Sequence, residues 1–181
     1  EMDLYVSWAR RCVLETVYVG AESGDDDVLA GVNKGETFAT TREALEKLQE
    51  AGIKRSVMVL NGLGGKALSR QHAMNSAALM NAVQPEYLAT LVASFPKGEA
   101  RLRENFPSWE PLSLLGLMQE MERFLSQLEL KRTIFRSDHA SNWLVLKGTL
   151  GVDKPRLLQE LRAAITAPEA APLRPAWARG L

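Results

Sequence analysis

Apolar side chains recur along this chain in two alternating patterns: short continuous runs, and stripes spaced three or four apart. The runs predict strands at 15–20 (ETVYVG), 56–60 (SVMVL) and 87–95, the second being of the kind that a parallel sheet buries on both faces. Between the runs the spacing predicts helices. Asp25, Asp26 and Asp27 offer cap and dipole-compensating carboxylates to a short helix over 28–32. Thr40 or Thr41 caps an amphipathic helix that turns Ala44, Leu45, Leu48 and Ala51 inward and closes at Gly52. Ser69 caps another, with Ala73, Ala77, Met80 and Val83 on one stripe. Ahead of the first strand, Leu4, Tyr5, Trp8 and Ala9 have the loose spacing of a helix end. Three βα repeats in succession predict an α/β fold with a parallel sheet or barrel.

The pattern changes after Pro96. Pro107, Trp109 and Pro111 mark an irregular connection, and a long helix follows over about 112–130 with Leu114, Leu117, Met118, Met121, Leu125 and Leu128 on its buried stripe. A further strand is predicted at 132–137 and a last helix at 153–165, begun by Asp153 and Pro155. From Thr166 the chain is rich in Ala and Pro without periodicity, which predicts disorder. The expected division is a βα unit over 1–97, a helical and strand extension over 98–165, and a disordered tail over 166–181.

Composition narrows the function classes. Lys plus Arg and Asp plus Glu number 22 each, so the net charge is zero, and no basic cluster marks a nucleic-acid or anionic-membrane partner. Apolar runs such as SVMVLNGLGG are far shorter than the roughly 18 residues that a spanning helix needs. The opening Glu1-Met2-Asp3 is acidic and carries no secretory pattern, so the expected setting is the cytoplasm. The single cysteine, Cys12, excludes an internal disulfide and any metal or cluster site built from this chain's cysteines alone. Arg10 and Arg11 beside it could lower its pKa, but a half-buried structural thiol accounts for it as well.

The candidate chemistry gathers at strand ends. In parallel α/β folds, ligands sit at the C-terminal ends of strands and in the loops beyond them. Glu22 lies there within Gly20-Ala21-Glu22-Ser23-Gly24, and Lys34 returns twelve residues later. A carboxylate and an ammonium at one strand end suit a zwitterionic ligand; a turn with a solvated glutamate is the plainer alternative. The NGLGG turn at 61–65 lacks the spacing and the following Ser or Thr of a P-loop. Its glycines either let a ligand lie against the backbone or make an ordinary βα turn. His72 begins a helix, as a site residue or as a cap-and-core histidine. Arg136, His139 and Asn142 belong to the densest polar stretch, RSDHASN, and either bind anionic or amide groups or satisfy buried backbone. Two histidines and no HExxH pairing give no mononuclear metal site.

Taken together, VYVGAESG, DDDVLAGVNKG and EAGIKRSVMVLNGLGG resemble the second half of the radical S-adenosylmethionine (radical SAM) core. The nearest branch is that of the oxygen-independent coproporphyrinogen oxidase-like and methylthiotransferase-like enzymes. The resemblance covers about residues 1–95, and HAMNSAALMNAVQPEYL and FRSDHASNWLVLKGTLGVDK extend it more loosely. It implies a partial (β/α) barrel of parallel strands with a C-terminal α-helical extension. It also implies that Glu22 and Ser23 lie near S-adenosylmethionine, that Lys34 meets the methionyl carboxylate, and that Gly62 and Gly64 line the cofactor's backbone side. Arg136, His139 and Asn142 then become substrate-side candidates for an unknown substrate. The acidic contact that such proteins often carry on the next strand has no counterpart in Val57-Met58-Val59-Leu60.

One departure is large. The family's CxxxCxxC motif, which holds a [4Fe–4S] cluster, is not in this chain. The expectation is a C-terminal portion whose cluster-binding barrel half is missing, inactive alone. The intact enzyme would cleave S-adenosylmethionine to a 5′-deoxyadenosyl radical. Two rival readings remain: a non-catalytic α/β binding module derived from that fold, and a sugar- or phosphate-handling barrel enzyme.

Overall fold

In the computed structural model, which describes residues 15–95 and 99–179, five strands form one sheet in chain order. They are β1 (Thr16–Glu22), β2 (Lys54–Asn61), β3 (Tyr87–Val92), β4 (Ile134–Ser137) and β5 (Leu146–Thr149). The first four run parallel, and β5 returns antiparallel to β4. Helices α1 (Asp26–Gly31) and α2 (Phe38–Glu50) join β1 to β2, and α3 (Gly65–Val83) joins β2 to β3. Helices α4 (Ala100–Asn105) and α5 (Leu114–Gln127) join β3 to β4, and α6 (Lys154–Thr166) follows β5. The fold is α/β. The predicted helix end over 2–11 and Cys12 lie outside the described residues.

Parallel strands in sequential order are linked by right-handed crossovers, so successive helices come to the same side of the sheet. The side chains follow. Val57, Val59, Leu88 and Phe135 point to that side and form one core with Leu45 of α2, Ala77 and Met80 of α3, Leu125 of α5 and Leu157 of α6. This core runs through both the 1–97 and the 98–165 segments. The alternate strand positions, Tyr18, Met58, Tyr87, Ala89, Ile134 and Arg136, line a groove of about 460 Å³ on the other face, to which no helix among the described residues contributes. Strand periodicity of two divides the sheet this way, and the same rule carries Arg55 into the core side.

Three local expectations are corrected. Helix α2 is capped by Thr37, not Thr40 or Thr41, because Thr37 and Thr40 exchange side-chain and backbone hydrogen bonds in a capping box. Helix α3 begins at Gly65, four residues before Ser69, which lies inside the helix and is buried. The tail is ordered as far as Arg179. Ala171 and Leu173 pack on the core, and Pro168–Ala170 and Ala176–Ala178 form 3₁₀ turns. The Arg174 guanidinium donates to the carbonyls of Asp138, His139 and Asn142, and Arg179 stacks 3.8 Å over Trp143. Specific side-chain anchoring replaces the missing periodicity. Among the described residues no helix is long and apolar enough to cross a membrane.

Candidate functional site

The turn after β1 is built by its small residues. The register of β1 on β2 shifts between Gly20 and Glu22, and Glu22 takes a left-handed backbone with φ 62°. A non-glycine residue holds that conformation at a cost of roughly 1 kcal/mol or more, so its surroundings must enforce it. With the backbone so turned, the Glu22 side chain folds back over residue 20, where any Cβ would run into Oε1. Gly20 leaves room for this placement of the Glu22 carboxylate, which a Cβ at position 20 would displace. Gly24 has a different reason: a Cβ there would meet the α3 backbone at Asn75 and Ser76.

Lys34 reaches the same strand end through Asn33. Asn33 has φ 55° and closes α1, with the Lys34 N–H donating to the Leu29 carbonyl at 2.9 Å. The reversal brings Lys34 Nζ to 3.5 Å from Glu22 Oε1, both side chains remaining partly open to solvent. The sequence spacing of these two charges thus becomes a spatial pair.

Ser23 faces inward and is fully buried. The His72 Nε2–H donates to the Leu60 carbonyl at 3.0 Å, which leaves Nδ1 to accept from the Ser23 hydroxyl at 2.8 Å. Ser23 Oγ in turn accepts from the Asp25 N–H. Burial lowers the His72 pKa to about 4, against the opposing pulls of the Leu60 carbonyl and Asp25, so the ring is neutral near pH 7. His72 is accordingly a core histidine, and Ser23 is closed to a ligand.

The glycine turn is covered as well. Residues 61–65 are all buried. The Gly62 N–H donates to Glu120 Oε1 at 2.5 Å, the Leu63 carbonyl accepts from Trp109 Nε1, and the Lys66 N–H donates to the Glu110 carbonyl. A Cβ on Gly62 would press on Leu117 and one on Gly65 on Trp109. Gly62 and Gly64, read from the sequence as lining a cofactor, are instead packed against protein: Leu117 of α5 closes on Gly62, and Leu68 and His72 of α3 close on Gly64.

On the far side of the open face, Arg136 and His139 line the groove. Arg136 forms no ion pair among the described residues, whereas neighbouring Asp138 is bound by Lys147 at 2.8 Å, which lowers its pKa. His139 Nδ1 accepts from the Ser141 N–H. Asn142 turns the other way: it is buried, and its side chain donates to the Thr90 carbonyl at 2.7 Å. Of the three polar candidates, two face the groove and Asn142 secures its rim. Two strands separate β1 from β4, so the Glu22–Lys34 pair and the Arg136–His139 pair stand roughly 14 Å apart.

Glu120 was missed from the sequence. It is buried among Val59, Asn61, His72, Thr90 and Phe124, around a cavity of about 10 Å³. Burial raises its pKa to about 7, with the Gly62 N–H and Arg123 among the opposing pulls. His72 Nε2 stands 3.8 Å from Glu120 Oε1, too far for a hydrogen bond, and its depressed pKa leaves the pair without a cation. Among the described residues Glu120 Oε2, Ser69 Oγ and Thr90 Oγ1 have no hydrogen-bond partner. The available signal was spacing, since Glu120 lies three residues after Leu117 and four before Phe124, on the apolar stripe of α5.

Among the described residues no three His, Cys, Asp or Glu side chains gather in a metal-holding group. Comparison of the chain with models of protein families and with curated proteins gave no match.

Proposed function

We propose that this chain carries the methionyl cradle of a radical SAM enzyme, with Glu22 and Lys34 receiving the zwitterionic end of S-adenosylmethionine. The observation that carries the reading is the Glu22–Lys34 pair itself, 3.5 Å apart at the C-terminal end of a parallel strand and reachable from solvent. The donor set suits the group: the Glu22 carboxylate accepts from an α-ammonium, and Lys34 donates to an α-carboxylate. The left-handed Glu22 backbone turns the carboxylate back along the strand, and Gly20 leaves room for it there. Sequential parallel strands with helices on one side are also what one section of a (β/α) barrel looks like, and the groove would then be part of its lumen.

S-adenosylmethionine supplies radical chemistry when it is bound to a reduced iron–sulfur cluster. A [4Fe–4S] cluster does not fit this chain alone, because its sequence has one cysteine. This chain's part is to hold and orient the cofactor, to shield one side of it with the sheet, and to offer Arg136 and His139 to a substrate at the opposite rim. The setting proposed is the cytosol.

Titration with S-adenosylmethionine, followed by amide chemical shifts, tests the reading. Perturbations are expected at residues 20–24 and 33–35 and at the open-face positions of β2 and β3. An absence of perturbation at Glu22 and Lys34 contradicts it.

A further inference from the structure

We propose that one polar face of α3, made by Gln71, His72, Asn75 and Ser76, is a positioning device that presents Glu22 to the methionyl group; the inference rests on the cofactor reading above. These residues stand at i, i+1, i+4 and i+5, a single side of a helix. All four bond to the chain just past Glu22. His72 accepts from the Ser23 hydroxyl at 2.8 Å, and Ser76 Oγ accepts from the Gly24 N–H at 2.9 Å. Asn75 Nδ2 donates to Asp25 Oδ2 at 2.6 Å, and Gln71 Nε2 donates to Asp25 and to Asp27. Asp25 in turn caps α1 through the Val28 N–H.

Packing alone does not call for this arrangement. Alanines and leucines would hold α3 against β1 without desolvating a ring and two hydroxyls. Directional hydrogen bonds do something that apolar contact does not: they admit one conformation of residues 23–25. Ser23, Gly24, Asp25, His72 and Ser76 are all buried, so water cannot substitute for the bonds. Glu22, immediately before this fixed segment, is the residue held at φ 62°. A strained non-glycine residue persists where its neighbours over-determine it, and here the over-determination comes from α3. His72 serves only as a neutral ring, because Nδ1 must be free to accept.

The test uses Ser23→Ala and His72→Leu, with His72→Gln as the conservative rescue and Thr133→Val as a control. Thr133 is buried at the opposite end of the sheet, where its hydroxyl donates to the Pro85 carbonyl at 2.6 Å. Two quantities are read for each protein: amide hydrogen exchange at Gly24 and Asp25, and calorimetric affinity for S-adenosylmethionine. Ser23→Ala and His72→Leu are expected to speed exchange at both amides and to weaken binding about tenfold. His72→Gln, which keeps an acceptor and a donor, is expected to recover most of the affinity, and Thr133→Val is expected to bind like the wild type. Faster exchange with unchanged affinity overturns the inference, as does an equal affinity loss in Thr133→Val. A wild type that does not bind S-adenosylmethionine overturns the cofactor reading itself; unchanged exchange in Ser23→Ala overturns the positioning device separately. Ser23→Ala removes a single oxygen and keeps the test open if His72→Leu does not fold.

Discussion

Replacing Arg55 by alanine is expected to lower the unfolding free energy by about 3–5 kcal/mol, the range for breaking a buried charge network from one side. Arg55 is the second residue of β2, with a side chain only 1 % exposed. Its guanidinium donates to the Val83 carbonyl at 2.9 Å, the Gln84 carbonyl at 3.2 Å, Gln49 Oε1 at 2.8 Å and both carboxylate oxygens of Glu86. It thereby satisfies the carbonyls at the C-terminal end of α3 and ties that helix to α2. Burial works to raise the Glu86 pKa, but the hydrogen bonds and charge of Arg55 outweigh it and hold the carboxyl below its usual range. Glu86 is itself over a third exposed, so most of the expected loss comes from the orphaned carbonyls and the cavity, not from the ion pair. Urea denaturation of the two proteins at pH 7 checks it. A loss below 1 kcal/mol would mean that water replaces the guanidinium.

The Glu120→Gln variant is expected to be more stable than the wild type at pH 8, by an amount on the order of 3 kcal/mol, and equal to it near pH 4.5. Burial raises the Glu120 carboxyl from 4.5 to about 7. Between those values the native state holds a proton that the unfolded chain releases, so wild-type stability from this group falls as pH rises and levels off above about 7. His72 acts in the opposite sense. Its pKa falls from 6.5 to about 4, so its contribution is complete above 6.5 and is lost as pH falls toward 4. In the wild type the two slopes oppose each other between about 4.5 and 6.5. Glu120→Gln removes one of them, and its stability should climb with pH across that interval. Thermal or urea unfolding from pH 4 to pH 8 measures both profiles. Parallel curves for the two proteins would show that Glu120 does not titrate as a buried acid.

Much of the architecture was legible because it depends on local periodicity. The strands at 16–22, 54–61 and 87–92 and the stripes of α2, α3, α5 and α6 follow from short apolar runs and from spacings of three and four. Strand β5 escaped notice: it has four residues, one of them Gly148, and pairs antiparallel to β4 over too short a span to show alternation. The charge pair was legible from the spacing of Glu22 and Lys34, because Asn33 is an ordinary left-handed helix stop that returns the chain. The roles of Ser23, Gly62, Gly64 and Asn142 were not. Three are set by partners distant in sequence, Ser23 by His72, Gly62 by Glu120 and Asn142 by the Thr90 carbonyl, while Gly64 is set by the close approach of Leu68 and His72 in α3. Small and polar residues at a strand end look alike whether they face a ligand or another helix, and only tertiary packing separates the two cases. Arg55 and Glu120 carried a usable signal, since each charge occupies a position that periodicity assigns to the core.

Calorimetric titration of the wild type and of Lys34→Met with S-adenosylmethionine tests the central claim most directly. Lys34 is partly exposed and touches the core little, so the substitution should leave the fold intact. If Lys34 receives the methionyl carboxylate, the wild type binds and Lys34→Met binds about tenfold or more weakly, as the loss of one charge-assisted hydrogen bond requires. Equal affinity in the two proteins, or no binding by the wild type, would contradict the assignment.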